Sequence, residues 1–325
     1  MTGGLSSVTP GYRALHEGAA WRDVSDRGRL RITGEDRARL LHAMTTNHIK
    51  QLTPGTGCYA FFLSAQGRIL ADANVLCRPD HFLLDTEPET REKIAAHLDK
   101  FIIADDVTVE DVTEHTGAIA LAGPVAEKLL KDLGAPIPEM DLAQTEWSER
   151  LVVRLGEMGS FLLISTDGKD ALTQELERAG AAPATAEDVR VVRIELGVPR
   201  YGEDITERYL AQETNQARAL HFQKGCYLGQ EIVERIRSRG NVHRAFSGFE
   251  LSGPLPPTGT PLEAEGKPAG ELTSTISIPM HGRTVHLGLG YVRREVLDRK
   301  LPLTYGGESA KPVALPYRVA PGSEI

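Results

Sequence analysis

The residues best suited to chemistry form one short segment, which reads Lys224-Gly225-Cys226-Tyr227-Leu228-Gly229-Gln230-Glu231. Cys226 is one of only three cysteines in the chain and stands two residues after a lysine. A positive charge and a helix start both stabilise a thiolate, so they make a thiol more reactive. The apolar residues after the segment predict a helix over 228–236, and Gly225 gives the backbone conformations closed to other residues. We therefore predict a reactive thiol at Cys226, with a buried, inert cysteine as the alternative.

Basic residues are concentrated around this segment. Between Asn215 and Ala245 there are six Lys or Arg and two Glu, a local sum of six minus two, or +4, in a chain of net charge −8. If the chain leaves the predicted helix as a strand, the alternating Arg235, Arg237 and Arg239 project to one side. Guanidinium groups placed in this way bind carboxylates or phosphates, so we predict an anion site, with a solvated basic face as the alternative.

Composition excludes several partners. The chain has 325 residues, is acidic overall, and has no run of about 20 apolar residues, which argues against general binding to nucleic acid or to a membrane. Cys58, Cys77 and Cys226 form no Cys-x-x-Cys pair, so neither a disulfide framework nor a zinc site is indicated. We expect a cytoplasmic protein in a reducing compartment.

The chain also lacks the motifs of several common enzymes. There is no Gly-x-Gly-x-x-Gly after a predicted strand, no Walker-type loop, no His-Glu-x-x-His and no Gly-x-Ser-x-Gly. Dinucleotide redox chemistry, nucleotide hydrolysis, zinc proteolysis and serine esterase activity therefore have little support. His221 or His243 can in principle serve as the base of a cysteine hydrolase, but nothing in the spacing favours that activity.

Predicted helices and strands alternate along the first two thirds of the chain. A hairpin over 58–64 and 68–77 turns at Ala65-Gln66-Gly67, and further strands are predicted over 81–86, 107–113, 118–122, 151–154 and 161–165. Helices are predicted over 35–49, 88–103, 124–133, 169–179 and 186–196. Mixed sheets with helices packed on them define an α+β class.

The character of the sequence changes near residue 245. Short strand patterns over 246–251, 261–264, 270–277, 284–291 and 311–316 are separated by glycine and proline, which is typical of a small β-barrel or sandwich. We predict an N-terminal region over 1–245, made of two α+β subdomains that divide near 115–150, and a C-terminal β-barrel over 246–325.

Four segments carry a resemblance to a known family. They are Gly34-Glu35-Asp36-Arg37 with the run Leu40 to Asn47, the hairpin Ala65 to Leu70, the run Arg193 to Gly202, and the Lys224 to Glu231 segment. With them the chain, from about Gly34 to Arg294, resembles the YgfZ family of folate-binding proteins. These proteins are relatives of the glycine-cleavage T-protein and act in iron–sulfur protein maturation.

The resemblance implies two α+β domains and a C-terminal β-barrel around a central opening where tetrahydrofolate binds. Glu195 matches the glutamate that holds the pterin in T-proteins, and Tyr201 of the same run is expected beside the ligand. A carboxylate suits this role because it accepts two parallel hydrogen bonds from an aminopyrimidine edge. A solvated helix residue is the alternative for Glu195. Arg235, Arg237 and Arg239 would suit the glutamate tail of folate.

Two departures from T-proteins separate the candidate activities. The paired Asp-Asp after the hairpin turn of T-proteins reads Ala71-Asp72 here, so one acid remains for general acid or base work. Cys226 stands where T-proteins have an acidic residue, and a thiolate suits iron or sulfur chemistry better than aminomethyl transfer.

The resulting hypothesis is a tetrahydrofolate-binding factor that assembles or repairs iron–sulfur clusters in client proteins, including those that support tRNA modification. Cys226 would be the reactive or ligating thiol, with Lys224 supplying charge, and any cluster would be transient because one cysteine cannot complete its ligation. We expect a monomer or weak dimer. Two alternatives stay open: a folate-dependent one-carbon transferase using Asp72, and a folate-binding interaction module without chemistry.

Overall fold

The fold is described from a computed structural model that covers residues 2–4, 8–156, 159–166, 169–240, 242–280 and 283–317. The chain divides into two compact units. The sheet unit contains Ala14–Ala184 and Gln216–Glu234. The barrel unit contains Met1–Arg13, Thr185–Asn215 and Arg235–Ile325. Each unit therefore draws on segments that are distant in sequence.

Eight α helices occur in the part of the chain that the structure describes: α1 (Pro10–Glu17), α2 (Arg37–Met44), α3 (Arg91–Asp99), α4 (Ala126–Asp132), α5 (Asp170–Arg178), α6 (Ala186–Leu196), α7 (Gln230–Arg239) and α8 (Arg294–Asp298). The strands of the same residues are β1 (Thr2–Gly4), β2 (Ala20–Asp23), β3 (Gly28–Thr33), β4 (Gly57–Leu63), β5 (Ile69–Cys77), β6 (Phe82–Thr86), β7 (Thr108–Asp111), β8 (Gly117–Ala122), β9 (Gln144–Trp147), β10 (Arg150–Leu155), β11 (Ser160–Ser165), β12 (Ala182–Pro183), β13 (Arg244–Leu251), β14 (Pro261–Ala264), β15 (Lys267–Met280), β16 (Arg283–Arg293), β17 (Thr304–Tyr305) and β18 (Glu308–Val313). None of the helices is long and apolar enough to span a bilayer.

The sheet unit contains two sheets with helices on their outer faces. One sheet has the order β4-β5-β6-β3-β7 and the other β12-β2-β8-β11-β10-β9. Because side chains alternate along a strand, Val75 of β5 packs toward Leu41 of α2 and Leu98 of α3. The next residue, Leu76, faces Leu162 of the second sheet. Helices α4 and α5 cover the far side of that second sheet.

The barrel unit contains a closed β-barrel. Six strands follow one another in the order β15-β14-β17-β18-β13-β16, and β16 pairs back to β15, while β1 adds a parallel strand outside the ring. Apolar side chains such as Phe249, Leu262 and Leu272 fill its interior. The predicted α+β class with a C-terminal β-barrel is confirmed.

Helix α6 begins and ends where the sequence predicts. The Thr185 side chain accepts a hydrogen bond from the backbone N–H of Asp188, whose carboxylate accepts one from the Thr185 N–H, a reciprocal cap. Gly197 ends the helix with a φ of 72°, a left-handed conformation that favours glycine.

A buried ionic network ties the segment after α6 to strand β15. Asp204 is fully buried, and one of its carboxylate oxygens lies 2.5 Å from the Arg193 guanidinium. The other oxygen accepts hydrogen bonds from the hydroxyls of Thr273 and Ser274, both at 2.6 Å. The register of β15 against β16 shifts between Leu272 and Ser274, so two consecutive hydroxyls reach the same oxygen.

Candidate functional site

The Lys224 side chain anchors its segment on the end of α2. Its ammonium is buried, with 7% of the residue exposed, and donates to the carbonyl oxygens of His42, Thr45 and Asn47 at 2.6, 2.6 and 2.8 Å. Carbonyls at a helix C-terminus carry partial negative charge and lack partners within the helix, so an ammonium satisfies both needs. Burial lowers the pKa of Lys224 to about 7. These contacts give Lys224 a structural role in addition to the charge predicted from the sequence.

Further hydrogen bonds hold the neighbouring residues of this segment against the end of α2. The Thr46 hydroxyl donates to the Ala219 carbonyl at 2.6 Å, and the His221 backbone N–H donates to the Thr46 carbonyl at 3.1 Å. Beyond the lysine, the Leu228 N–H donates to the Ala43 carbonyl at 2.9 Å. We call residues 217–229 the docked loop, since it is fixed at both ends and at its centre.

Cys226 is the exposed cysteine of the three. Cys77 is buried and Cys58 is partly so, and burial raises the pKa of both thiols, that of Cys58 to about 12. Helix α7 begins at Gln230 and not at Leu228 as predicted. Cys226 therefore precedes the helix by four residues. The thiol therefore stands in the docked loop, outside the first turn of the helix.

The two glycines of the segment differ in what they require. Gly229 has a φ of +81°, and a Cβ there would lie 2.6 Å from the Ser64 carbonyl oxygen in the hairpin turn. At Gly225 a Cβ would meet only the Nε2 atom of His42, at 3.7 Å, an ordinary contact distance. The φ of Gly225 lies outside the left-handed region, so Gly225 does not need the special backbone conformation that the sequence predicts for it. Gly229 does need it.

The remaining motif residues also have structural contacts. The Tyr227 ring centre lies 4.7 Å from the Lys224 ammonium, and the Tyr227 N–H donates to the Gln230 side-chain oxygen at 3.3 Å. Glu231 is exposed on the first turn of α7. The segment thus combines a buried anchor with an exposed thiol.

The three arginines after the segment do not lie on a strand, and that prediction is wrong. Helix α7 continues to Arg239, because no glycine or proline interrupts the sequence before Gly240. At about 100° per residue, Arg235 and Arg239 share one side of the helix and Arg237 lies roughly opposite. All three are exposed. One anion can therefore face two of them at most on the helix.

His42 lies directly behind the docked loop. It is 7% exposed, and its ring packs edge to face on His48, which packs in the same way on His221, with centroid distances of 4.6 and 5.0 Å. Burial lowers the pKa of His42 to about 4, and the nearby Lys224 adds to the shift. The imidazole is therefore neutral at physiological pH.

Asp72 is buried on the face of β5 that looks toward the second sheet. One of its carboxylate oxygens accepts a hydrogen bond from the Tyr59 hydroxyl at 2.6 Å. Burial, with the nearby Glu87 carboxylate, raises the pKa of Asp72 to about 6. A carboxyl group that titrates near neutral pH is suited to proton transfer. The Asp72 side chain is therefore buried and hydrogen-bonded, not solvated.

The side chains of Tyr59 and Asn47 connect Asp72 to the docked loop. The Asn47 amide donates both to the Tyr59 carbonyl, at 2.9 Å, and to the Arg218 carbonyl, at 2.8 Å. The Arg218 guanidinium lies 4.8 Å from the centre of the Tyr59 ring. Asn47 also accepts a hydrogen bond from Lys224 through its carbonyl. The sheet unit therefore brings the Asp72 carboxyl and the Lys224 anchor into one network.

Glu195 and Tyr201 belong to the barrel unit and are both buried. The Tyr12 hydroxyl donates to one Glu195 carboxylate oxygen at 2.5 Å, which fixes the orientation of the carboxylate. Burial, together with the adjacent Glu195 charge, raises the pKa of Tyr12. Tyr201 forms an isolated bridge with Ile205. Glu195 is thus a buried, oriented carboxylate and not a solvated helix residue.

Sequence reasoning did not find Tyr59, His42 or Tyr12. Tyr59 reaches Asp72 as a diagonal neighbour, because β4 and β5 pair in the register that places Tyr59 opposite Asn74 and Phe61 opposite Asp72. The period-two pattern of the hairpin could have suggested that partner. No local signal pairs His42 with Gly225 or Tyr12 with Glu195, since each pair is separated by more than 180 residues.

Comparisons with known proteins agree with this architecture. Residues 6–224 match the GCVT N-terminal domain, and residues 242–316 match the CAF17 C-terminal beta-barrel domain. The glycine cleavage system aminomethyltransferase T of Bartonella henselae has the same fold, with a TM-score of 0.83 at 20% identity over 95% of this chain and 88% of that one.

Two sequence relatives match most of this chain. An aminomethyltransferase of Rubrobacter xylanophilus is 31% identical over 94% of this chain and 86% of its own. A chloroplastic protein of Arabidopsis thaliana named as a transferase is 29% identical over 94% of this chain and 72% of its own. The fold is that of an aminomethyltransferase. The chain belongs to the GCVT domain family, and its CAF17-type barrel identifies it as a member of the CAF17/YgfZ branch, as the sequence resemblance predicts.

Proposed function

We propose that this protein binds tetrahydrofolate and uses the exposed Cys226 thiol to assemble or repair iron–sulfur clusters in client proteins. The observation that carries the proposal is the presentation of this thiol. Cys226 is exposed, whereas the residue two positions before it is buried and bonded to three carbonyls. A loop held in this way can present a thiolate to an iron of a partner without itself reorganising.

Glu195 is the residue expected to hold the folate. Its carboxylate is buried and oriented by Tyr12, and a carboxylate is the group that accepts two parallel hydrogen bonds from an aminopyrimidine edge. The donor set therefore fits the ligand. Tetrahydrofolate, when bound, supplies a carrier for one-carbon units. Tyr201 and the α7 arginines remain proposed ligands.

The cluster is cargo in this proposal. One thiolate cannot replace the four protein ligands of an ordinary cluster, so Cys226 would hold it only while a client or an assembly protein supplies the other ligands. Such exchange requires a reduced thiol, which supports function in a reducing compartment such as the cytoplasm.

The test uses a strain that lacks the protein and an iron–sulfur enzyme as reporter. We expect Cys226→Ala to abolish rescue of the reporter activity while tetrahydrofolate still binds in a titration. Glu195→Ala should lose the folate and keep its fold, as judged by circular dichroism. Cys77→Ala, which removes a buried thiol, serves as the matched control and should rescue. Full rescue by Cys226→Ala would refute the proposal.

A second candidate is a folate-dependent one-carbon transferase, favoured by the environment of Asp72. The buried carboxyl, its pKa of about 6 and its hydrogen bond to Tyr59 suit a general acid or base. This candidate predicts turnover of tetrahydrofolate with an aminomethyl or methyl donor. That turnover would be lost in Asp72→Asn and unchanged in Cys226→Ala, the reverse of the pattern expected for cluster repair.

A further inference from the structure

We propose that Tyr12 is a positioning residue for Glu195, and that its hydroxyl makes the carboxylate selective for a ligand with two adjacent hydrogen-bond donors. An aminopyrimidine presents such an edge, with two N–H groups side by side in one plane. The inference rests on the proposed function, because it takes Glu195 as the residue that holds the folate. It adds a specificity-determining residue that acts through Glu195.

Two hydrogen bonds attach the N-terminal segment to helix α6. The Thr9 hydroxyl donates to one Asp188 carboxylate oxygen at 2.5 Å, and the Tyr12 hydroxyl donates to Glu195 at 2.5 Å. Asp188 and Glu195 are separated by nearly two helical turns, so they lie on the same side of α6. Residues 9–12, which we call the N-terminal arm, are therefore bonded to one side of this helix at two points.

The base of the N-terminal arm is itself fixed. The backbone N–H groups of Tyr12 and Arg13 donate to the hydroxyl and the carbonyl of Thr9, both at 3.0 Å, so Thr9 caps the first turn of α1 while it bonds to Asp188. The second Asp188 oxygen accepts from the N–H and the hydroxyl of Thr185, both at 2.8 Å. Tyr12 therefore reaches Glu195 from a rigid support.

Burial strengthens the bond between Tyr12 and Glu195. Tyr12 is 2% exposed and Glu195 is 7% exposed, and a hydrogen bond to an ionised acceptor is stronger where the local dielectric is low. Burial and the adjacent Glu195 charge also raise the pKa of Tyr12, so its hydroxyl stays a donor at physiological pH. The carboxylate cannot rotate without breaking this bond.

The backbone of Glu195 is held by a second segment, near the end of the described chain. The Tyr317 N–H donates to the Glu195 carbonyl at 2.6 Å. Two residues earlier, Leu315 packs against Gly197 and Gly248, where an added Cβ would lie 2.4 and 2.8 Å from the leucine side chain. Both the backbone and the carboxylate of Glu195 are thus fixed by residues outside α6.

A fixed carboxylate distinguishes ligands by their number of donors. Two parallel hydrogen bonds form only when the carboxylate lies in the plane of the ligand edge. A carboxylate that rotates freely bonds a single donor almost as well, but it must lose its rotation to bond two. Because Tyr12 orients the carboxylate before the ligand binds, loss of the hydroxyl should weaken a two-donor ligand more than a one-donor ligand.

The experiment compares two ligands by calorimetric titration of the full chain. Tetrahydrofolate has both donors, whereas 2-desaminotetrahydrofolate keeps the ring N–H and lacks the amino group. We expect the wild type to bind tetrahydrofolate more tightly by about tenfold or more. Tyr12→Phe, which keeps the ring, should bind tetrahydrofolate about tenfold more weakly and lower the ratio of the two affinities by about threefold or more.

Tyr209→Phe is the matched control. Tyr209 is also 2% exposed and donates to a different carboxylate of the same unit, that of Glu271, at 2.8 Å. This control should keep the wild-type affinity ratio. If thermal melting shows that Tyr12→Phe does not fold, Thr9→Val takes its place, because it keeps the Tyr12 side chain and removes the second bond of the arm. It should lower the ratio in the same direction.

The outcomes separate this inference from the proposed function. Equal weakening of both ligands in the folded variant of the N-terminal arm, or a ratio unchanged from the wild type, overturns the positioning role of Tyr12. A ratio that falls equally in Tyr209→Phe overturns it too, because a general loosening of the unit would explain the effect. Wild-type protein that does not bind tetrahydrofolate, or binding that survives Glu195→Ala, overturns the folate site of the proposed function itself.

Discussion

Burial determines the ionisation of three side chains in the sheet unit. It raises the pKa of Asp72 to about 6, lowers that of Lys224 to about 7 and lowers that of His42 to about 4. In each case removal from water disfavours the charged form, which moves acids up and bases down. All three groups consequently differ from their ordinary protonation behaviour near neutral pH, and all three belong to the network around the docked loop.

The raised pKa of Asp72 gives a measurable pH dependence of stability. The folded protein keeps a proton on Asp72 up to about pH 6, whereas the unfolded chain releases it near pH ~4. Between these values the unfolded state binds fewer protons, so the free energy of unfolding falls as the pH rises. The loss amounts to about 3 kcal/mol if the full shift is realised.

Denaturant unfolding of the wild type and Asp72→Asn from pH 4 to 7 tests this effect. The wild type should lose stability relative to the variant across the window, and the control Asp99→Asn, an exposed carboxylate, should follow the wild type. Parallel curves for wild type and Asp72→Asn would mean that the carboxyl is solvated.

The two motif glycines provide a matched pair of substitutions. Gly229→Ala combines a left-handed backbone with a Cβ 2.6 Å from the Ser64 carbonyl oxygen, so we expect it to lower the free energy of unfolding by about 2 kcal/mol or more. Gly225→Ala meets no such obstacle and should change stability by less than about 0.5 kcal/mol. Equal effects of the two substitutions in chemical denaturation would contradict the geometry.

The sequence names candidate site residues where it carries a local or family pattern. Cys226, Glu195 and Asp72 were all named from motifs, and the structure gives Glu195 and Asp72 buried, oriented carboxylates. Their partners were not predictable, because contacts such as Tyr12 to Glu195 arise only when distant segments pack together. Likewise, a sequence shows that Lys224 is basic but not that three carbonyls surround it.

At the scale of elements, the Arg193–Asp204 network stabilises the connection between α6 and β15. Asp204 is fully buried and has three charged or hydroxyl partners, so its charge is satisfied only while all of them are in place. Removing one member of a buried ion pair leaves the other uncompensated. The element that carries Glu195 therefore depends on a residue nine positions later in the chain.

Asp204→Asn should lower the free energy of unfolding by about 3 kcal/mol, because Arg193 loses a buried partner charge. Thr273→Val removes one hydrogen bond to the same carboxylate and should cost about 1 kcal/mol. The exposed carboxylate of Asp298 offers a control, and Asp298→Asn is expected to match the wild type in thermal and chemical unfolding. A wild-type melting curve for Asp204→Asn would show that the network is dispensable.

At the same scale, the bounds of an element were predicted correctly where the sequence carries a signal that ends it. They were predicted poorly where no such signal is present. The predicted α6 and β14 have the observed bounds, since a cap residue, glycine or proline marks their ends. The helix predicted over 35–49 ends at Met44, because the following residues turn to receive the docked loop. Helix α7 is longer than predicted for the opposite reason, as nothing in the sequence stops it.

At the scale of the whole molecule, the compact units do not follow the order of the chain. Residues 185–215 belong with the barrel, although the predicted division at 245 groups them with the N-terminal region. The contacts explain the grouping, since the Asn215 amide donates to the Phe246 carbonyl at 2.7 Å and the Tyr209 hydroxyl to Glu271 at 2.8 Å. The domain boundary near residue 245 remains a prediction.

A chain truncated after residue 245 tests this organisation. It should lose the partners of Tyr209, Asp204 and Asn215, so residues 185–215 are expected to become sensitive to protease. The segments of the sheet unit should stay resistant. Mass spectrometry of the fragments, with the full chain as control, identifies the cleaved segments, and equal protection of 185–215 in both chains would contradict the prediction.

The division of the barrel unit among three segments has a consequence for biosynthesis. The sheet unit has all of its residues once Glu234 has left the ribosome, whereas the barrel closes only when β18, which ends at Val313, is available. At roughly 5–20 residues per second, translation separates these two events by several seconds. During that interval the nascent chain contains the complete docked loop. Helix α6, which carries Glu195, still lacks the barrel strands with which it forms one unit.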